Sequence, residues 1–318
     1  MKKWISGILT AGTFAVLYYF ESRRPLRKTV EPKLINTARN LAVAALAGVT
    51  INFLEKPVAE HLTKLVERKN IGLVKTFRLP KLAEIALAVV LLDYTLYLWH
   101  VLTHKVPFLW RFHRIHHADL DLNASTAIRF HFAEMAISVI FRAGQILIVG
   151  VSPKALQIWQ TLLFMSIFFH HSNVRLPKRF EEKLEFFIVT PRLHGIHHSI
   201  EENERDSNWS SGLTAWDFLH QTFRRDVPQN EITIGVKEFN SLEKVSLNRI
   251  LFEPFINQEL ATKEHENARI KNKENQPRIT RITRIILFLL FVQFVLFAAK
   301  FFLFVFFSVV SRLKNLSD

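Results

Sequence analysis

Three short histidine clusters constrain this chain more than any other feature. His100 and His104 are spaced i, i+4. His113, His116 and His117 are spaced i, i+3, i+4, and His194, His197 and His198 repeat that pattern farther along. On an α-helix such positions share a face, so each cluster aims its imidazoles at one point. Ordinary core or surface histidines account for one such pair, but not for three clusters in one chain. These clusters hold eight of the 14 histidines. A metal takes about three to six protein ligands, so eight imidazoles point to two metals. Imidazole suits zinc, copper, iron and nickel alike.

The holder of these clusters is apolar. Of 318 residues, 49% are hydrophobic and 29 are phenylalanine. Apolar runs cover 4–20, 41–54, 82–103, 133–151, 155–169 and 285–310. The longer ones suit membrane helices, whereas 41–54 is short enough to be partly interfacial and the pair at 133–169 suits a full span or a re-entrant, protein-buried hairpin. The fold class expected is all-α: an integral membrane helical protein with a cytosolic, histidine-rich di-metal cap. The net charge is +14. Its basic residues lie among and beside the apolar runs, which fits anionic lipid headgroups better than nucleic acid. There is no cysteine, which excludes disulfides, iron–sulfur clusters and thiolate ligation. Any electrons that a reaction here needs are then expected from a separate protein.

The domain layout expected is 1–79 for N-terminal membrane segments and an amphipathic connection, 80–225 for the catalytic domain, 226–284 for a polar, loosely structured cytosolic extension, and 285–310 for a C-terminal membrane helix. The first run is read as an uncleaved anchor, because Glu21-Ser22-Arg23-Arg24-Pro25 follows it rather than a cleavage site. Residues 55–81 are mixed and charged. Pro107 ends the helix of the first cluster, since proline cannot continue a helix ladder, and a second helix then carries His113 to His117. Asp93 lies two turns before His100, inside an apolar run where a carboxylate is expensive; it orients a ligand imidazole or bonds between helices. Val151-Ser152-Pro153-Lys154 joins two apolar runs into a helical hairpin that starts and ends on one side. Thr190 and Pro191 supply an N-cap and a first helical position for the third cluster.

His100-x-x-x-His104, His113-x-x-His116-His117 and His194-x-x-His197-His198 resemble the eight-histidine pattern of the fatty acid hydroxylase/sterol desaturase superfamily. The stretch Asp121 to Arg129, the tripeptide His171-Ser172-Asn173, and Asn208 followed by Trp216-Asp217 resemble its flanking elements, bacterial members and alkylglycerol monooxygenases included. The resemblance spans about 80–225 and weakens at Phe218-Leu219-His220-Gln221-Thr222. It implies a membrane-bound di-iron oxygenase: two iron ions, O2 as co-substrate, an external electron-transfer reductase, and a lipid substrate such as an acyl chain, sterol or ether lipid. It also implies His171 as a ninth ligand beside His100, His104, His113, His116, His117, His194, His197 and His198, with His170 as packing or support. His131 and Glu134 resemble a His-Pro-x-Glu element with Phe132 in place of proline, and a structural role is expected there. His61, His220 and His265 are expected to be solvated. The site belongs on the cytosolic face, of the inner membrane in a bacterium or of the endoplasmic reticulum in a eukaryote. A non-catalytic membrane metal-binding or transport protein is the alternative; it would set ligands along the spans near mid-membrane. A zinc hydrolase lacks support, because no glutamate sits within a cluster to act as base.

Overall fold

The computed structural model describes residues 2–256. Residues 257–284 of the polar extension, with His265, and the expected helix at 285–310 lie outside the described residues. Among the described residues the chain is helical, with isolated β-bridges and no strand. The helices in order are α1 (Lys3–Arg23), α2 (Lys33–Thr50), α3 (Lys56–Lys69), α4 (Leu73–Thr76), α5 (Lys81–Lys105), α6 (Pro107–His117), α7 (Phe132–Val149), α8 (Pro153–His171), α9 (Lys178–Leu184), α10 (Pro191–His197), α11 (Glu202–Arg205), α12 (Ala215–Leu219) and α13 (Leu247–Ile256). Among the described residues, three helical stretches are long and apolar enough to cross a membrane: Lys33–Thr76, which holds α2 to α4, then α5 and α7.

The charged stretch after residue 55 is less separate than its composition suggests. A π-helical turn at Ile51–Glu55 carries α2 straight into α3. The buried positions of α3 are Ala59, Leu62, Thr63 and Val66, an i, i+3, i+4, i+7 stripe that packs against α7 and α8. This stripe joins Ile85, Leu92, Ile146, Val149 and Trp159 in the main apolar core. Fully burying each large aliphatic side chain contributes about 1.5–3 kcal/mol.

The turn between α7 and α8 is as tight as its sequence implies. Gly150 takes a left-handed conformation at φ 86°, the Ser152 hydroxyl accepts from the Ala155 N–H at 3.2 Å, and Pro153 is the first helical residue. Each of the two helices packs on α3 and α5. Gly150 meets Gly72 backbone to backbone; a Cβ on Gly72 would lie 2.2 Å from the Gly150 Cα. Both glycines have positive φ, so both the space and the conformation exclude a side chain.

A second core forms over α6. Trp110 and Ile115 pack with Val43, Val236, Phe239, Val245 and Ile250, and Glu253 in α13 binds the Arg114 guanidinium at 2.7 Å. The described part of the extension is thus ordered. Its few apolar residues find a partner in α6 that no local pattern announces.

Candidate metal centre

Pro107 breaks the chain where proline must, so α5 stops at Lys105 and α6 starts afresh. The last turns of α5, all of α6, the end of α8 and the whole of α10 then converge. Their buried imidazoles form two quartets. His100, His104, His117 and His197 make one; His116, His171, His194 and His198 make the other. In each, the ligand nitrogens lie within 4.8 Å of one another. His113 stands between the quartets, its ring centre 4.9 Å from that of His104, 5.2 Å from those of His100 and His117 and 5.3 Å from that of His116. His170 lies outside both, with its ring centre 4.1 Å from that of His194.

Hydrogen bonding fixes several tautomers. A carbonyl only accepts, so an imidazole nitrogen on a carbonyl carries the proton. His100 Nδ1 donates to the Trp209 carbonyl at 2.7 Å, and His197 Nδ1 donates to the Ser207 carbonyl at 2.8 Å. Both Nε2 atoms are then bare lone pairs, yet they face each other at 3.0 Å. His171 Nδ1 donates to the Ile167 carbonyl at 2.8 Å, and its Nε2 lone pair lies 3.1 Å from His116 Nε2 and 3.0 Å from His194 Nε2. Converging lone pairs need a shared cation. A proton is disfavoured: burial away from water pulls the pKa of His116, His117, His194, His197 and His198 well below the usual imidazole range, and neighbouring imidazoles push the same way. His117 has both ring nitrogens buried without a hydrogen-bond partner. These residues fit a pair of metal ions.

Supporting groups hold the candidate ligands. Glu134 Oε1 accepts from His113 Nδ1 at 2.7 Å and leaves the buried Nε2 free to ligate, the usual carboxylate–histidine arrangement behind a metal. His131 caps α7 by accepting from the Ala133 N–H at 3.1 Å, and its Nε2 donates to the Leu251 carbonyl. The loop that offers the Ser207 and Trp209 carbonyls is itself pinned. Asp217 accepts from the N–H groups of Trp209 at 3.0 Å and Ser210 at 3.1 Å. Asn208, at φ 52°, donates to the Leu193 and Arg224 carbonyls. Asn and Asp tolerate that left-handed conformation best among residues with a side chain.

Asp93 shares a helix face with His100 but touches no imidazole; its carboxylate accepts from the Leu213 N–H at 3.0 Å and Trp216 Nε1 at 2.8 Å. A Cβ on Gly212 would lie 2.3 Å from Asp93 Oδ1, which is why the loop can approach so closely. His61 is exposed. His220 is half-buried, stacked on Tyr94 and Tyr97 with Nε2 3.2 Å from the Tyr94 hydroxyl. Glu134 had a signal in sequence, its place three residues after His131. The two carbonyls had none, because backbone groups are the same at every residue.

Comparison with known proteins agrees with this geometry. Residues 85–222 match the model of the fatty acid hydroxylase family. The ornithine lipid hydroxylase OlsE of Rhizobium tropici is 26% identical over 235 residues, covering 72% of this chain and 70% of that protein. Human alkylglycerol monooxygenase is 30% identical over 134 residues, 42% of this chain and 29% of its own length. Mouse cholesterol 25-hydroxylase is 26% identical over 179 residues, 53% of this chain and 56% of its own. The matched stretch is thus under a third of the monooxygenase and a little over half of the cholesterol enzyme. No solved structure matches. All nine candidate ligands lie inside the matched residues, and this chain therefore carries a fatty acid hydroxylase domain across residues 85–222.

Proposed function

We propose that this protein is a membrane-bound di-iron oxygenase that hydroxylates a lipid with O2 and electrons from an external reductase. The observation that carries the reading is the pair of buried imidazole quartets with their lone pairs turned inward. His100, His104, His117 and His197 would hold one iron, and His116, His171, His194 and His198 the other, with His113 between them. Two irons there would supply the reductive activation of O2 that attack on an unactivated C–H bond requires.

The chain's own residues do the rest. The carbonyls of Ser207, Trp209 and Ile167 keep the proton on Nδ1, so Nε2 stays available. Glu134 does the same for His113. Burial of the nine imidazoles excludes bulk water from the reacting volume. The relatives' names support hydroxylation over desaturation, and all three concern lipids. In this reading residues 80–225 are the catalytic domain, residues 1–79 and 285–310 hold it to the membrane, and the clusters face the cytosol.

The test is metal and oxygen analysis of purified protein. About two irons per chain are expected, with 18O from labelled O2 appearing in an extracted lipid only when a reductase system is added. Protein that binds zinc alone, and that incorporates no oxygen after reconstitution with iron, would favour a metal-binding or transport role. Turnover without any external reductant would overturn the need for a partner.

A further inference from the structure

The segment that buttresses the histidines also runs along an apolar helix. The Trp209 carbonyl meets His100, Leu213 and Trp216 meet Asp93, and His220 stacks on Tyr94 and Tyr97. Asp93 lies two turns below His100 on α5, or about 10 Å at the helical rise. This loop therefore descends beside a helix long and apolar enough to cross a membrane, reaching the level of its middle turns. The bridge between Ile188 and Leu213 brings a second loop to the same level.

The surface at that level is mainly aromatic and open, with one cation on it: the Arg225 guanidinium lies 5.3 Å from the Phe186 ring centre and pairs with the buried Glu185 at 2.8 Å. Phe187 is 70% exposed and Leu219 is 63% exposed, while Phe186 and Phe218 stack with ring centres 5.9 Å apart. Soluble surfaces rarely gather such side chains into one patch. The charge changes on the histidine side of the patch. There α9, tied to the start of α10 by Glu181 accepting from the Arg192 N–H at 3.3 Å, exposes Lys178, Arg179 and Lys183 with Glu182 as its one exposed acid. Aromatic side chains below and cations above form the polarity gradient of a membrane interface.

We infer that the surface of Phe186, Phe187, Phe218 and Leu219 is immersed in the acyl layer of the leaflet beside the histidine centre, with Lys178, Arg179 and Lys183 on the headgroups of anionic lipids. The acyl chains of that leaflet then lie against the flank of the imidazole cluster, and lipid reaches it sideways. The inference rests on α5 as a membrane span and is independent of the metal.

The chain has no cysteine, so single cysteines report cleanly. Phe187→Cys, Leu219→Cys, Arg179→Cys, Asn203→Cys and Val90→Cys are each made in the full-length protein, labelled with an NBD fluorophore, and placed in phosphatidylcholine–phosphatidylglycerol nanodiscs. Lipids carry a nitroxide quencher on the acyl chain or on the headgroup. The labels at 187 and 219 are expected to lose fluorescence to the acyl-chain nitroxide as strongly as the reference at 90, on the exposed side of α5. The label at 179 should lose it to the headgroup nitroxide, more when phosphatidylglycerol carries it, and the label at 203 to neither. Quenching at 90 but not at 187 and 219 overturns the inference. So does shielding of 187 and 219 from both lipid and aqueous iodide, which would mean that protein covers the patch. If the label at 90 is not quenched, α5 does not span and the inference falls with it. Metal content has no bearing on any of these results.

Discussion

His170 and His171 are neighbours with different surroundings. The His171 ring sits in a quartet, while both His170 nitrogens are buried without a hydrogen bond and its ring leans on His194. Consecutive helical residues point about 100° apart, so only one of the two can face a given centre. His171→Ala is expected to lose metal as His116→Ala does, and His170→Ala to keep it, read by mass spectrometry of purified protein. Metal loss from His170→Ala alone would reverse the assignment. Glu134→Gln tests the support of His113. It removes the charge and leaves the shape, so metal affinity or activity should fall ~10–100-fold while the melting temperature holds. An unchanged affinity would show that His113 needs no carboxylate. A third expectation concerns acid. In the unfolded chain a histidine titrates near about 6.5, whereas burial lowers the pKa of His116, His117, His194, His197 and His198 in the fold. Below about pH 6.5 the unfolded chain binds more protons. Stability of the metal-free protein should therefore fall as pH drops through that value and stay level above it. Thermal melting of chelated protein across this range checks the sign.

At the scale of elements, α6 carries three candidate ligands on one helix of 11 residues, so its ends must be held from outside. The fully buried Arg129 closes its C-terminus: Nε donates to the Ile115 carbonyl at 3.0 Å and Nη2 to the Ala118 carbonyl at 3.3 Å. A cation there also meets the negative end of the helix dipole. Nη1 donates to Asn40 Oδ1 at 2.7 Å, and Asn40 donates in turn to Asp119 Oδ2 at 2.8 Å, which ties α2 to the same end. Burial lowers the Arg129 pKa to about 10, so it stays charged at neutral pH. Arg129→Met should cost about 1–3 kcal/mol for each buried acceptor it strands, namely the Ile115 and Ala118 carbonyls and Asn40 Oδ1. The measurement is the melting temperature of the metal-free protein, and a shift no larger than that of an exposed Arg249→Met control would mean that α6 is held by its apolar face alone.

For the whole molecule, the prediction concerns sidedness. One metal centre cannot draw ligands from both sides of a bilayer, and α7 and α8 leave from and return to the same end of the bundle as α6 and α10. Phe108 and Asn203 are exposed beside the first two clusters and the third, respectively. Phe108→Cys and Asn203→Cys should both resist a membrane-impermeant maleimide in intact cells and react after lysis. Reaction of one but not the other in intact cells would break the shared-centre reading.

What the sequence determined by itself was local. The i, i+3, i+4 spacings, Pro107 as a break, Thr190 as a cap, and the turn before Pro153 follow from backbone geometry within a few residues. The all-helical class follows from long apolar runs. The division of the imidazoles between two centres was not legible. The structure sends His117 to one quartet and its neighbour His116 to the other, and likewise His197 and His198. Helical phase predicts that such neighbours diverge, but only the crossing of α5, α6, α8 and α10 decides which partner each one meets. Asp93 shows the same limit: its spacing from His100 placed it on the right face, and a loop 120 positions away in sequence decided what it would bind. The Ser207 and Trp209 carbonyls are the extreme case. Every residue has such a group, and position in three dimensions alone made these two the ones that fix the ligand tautomers.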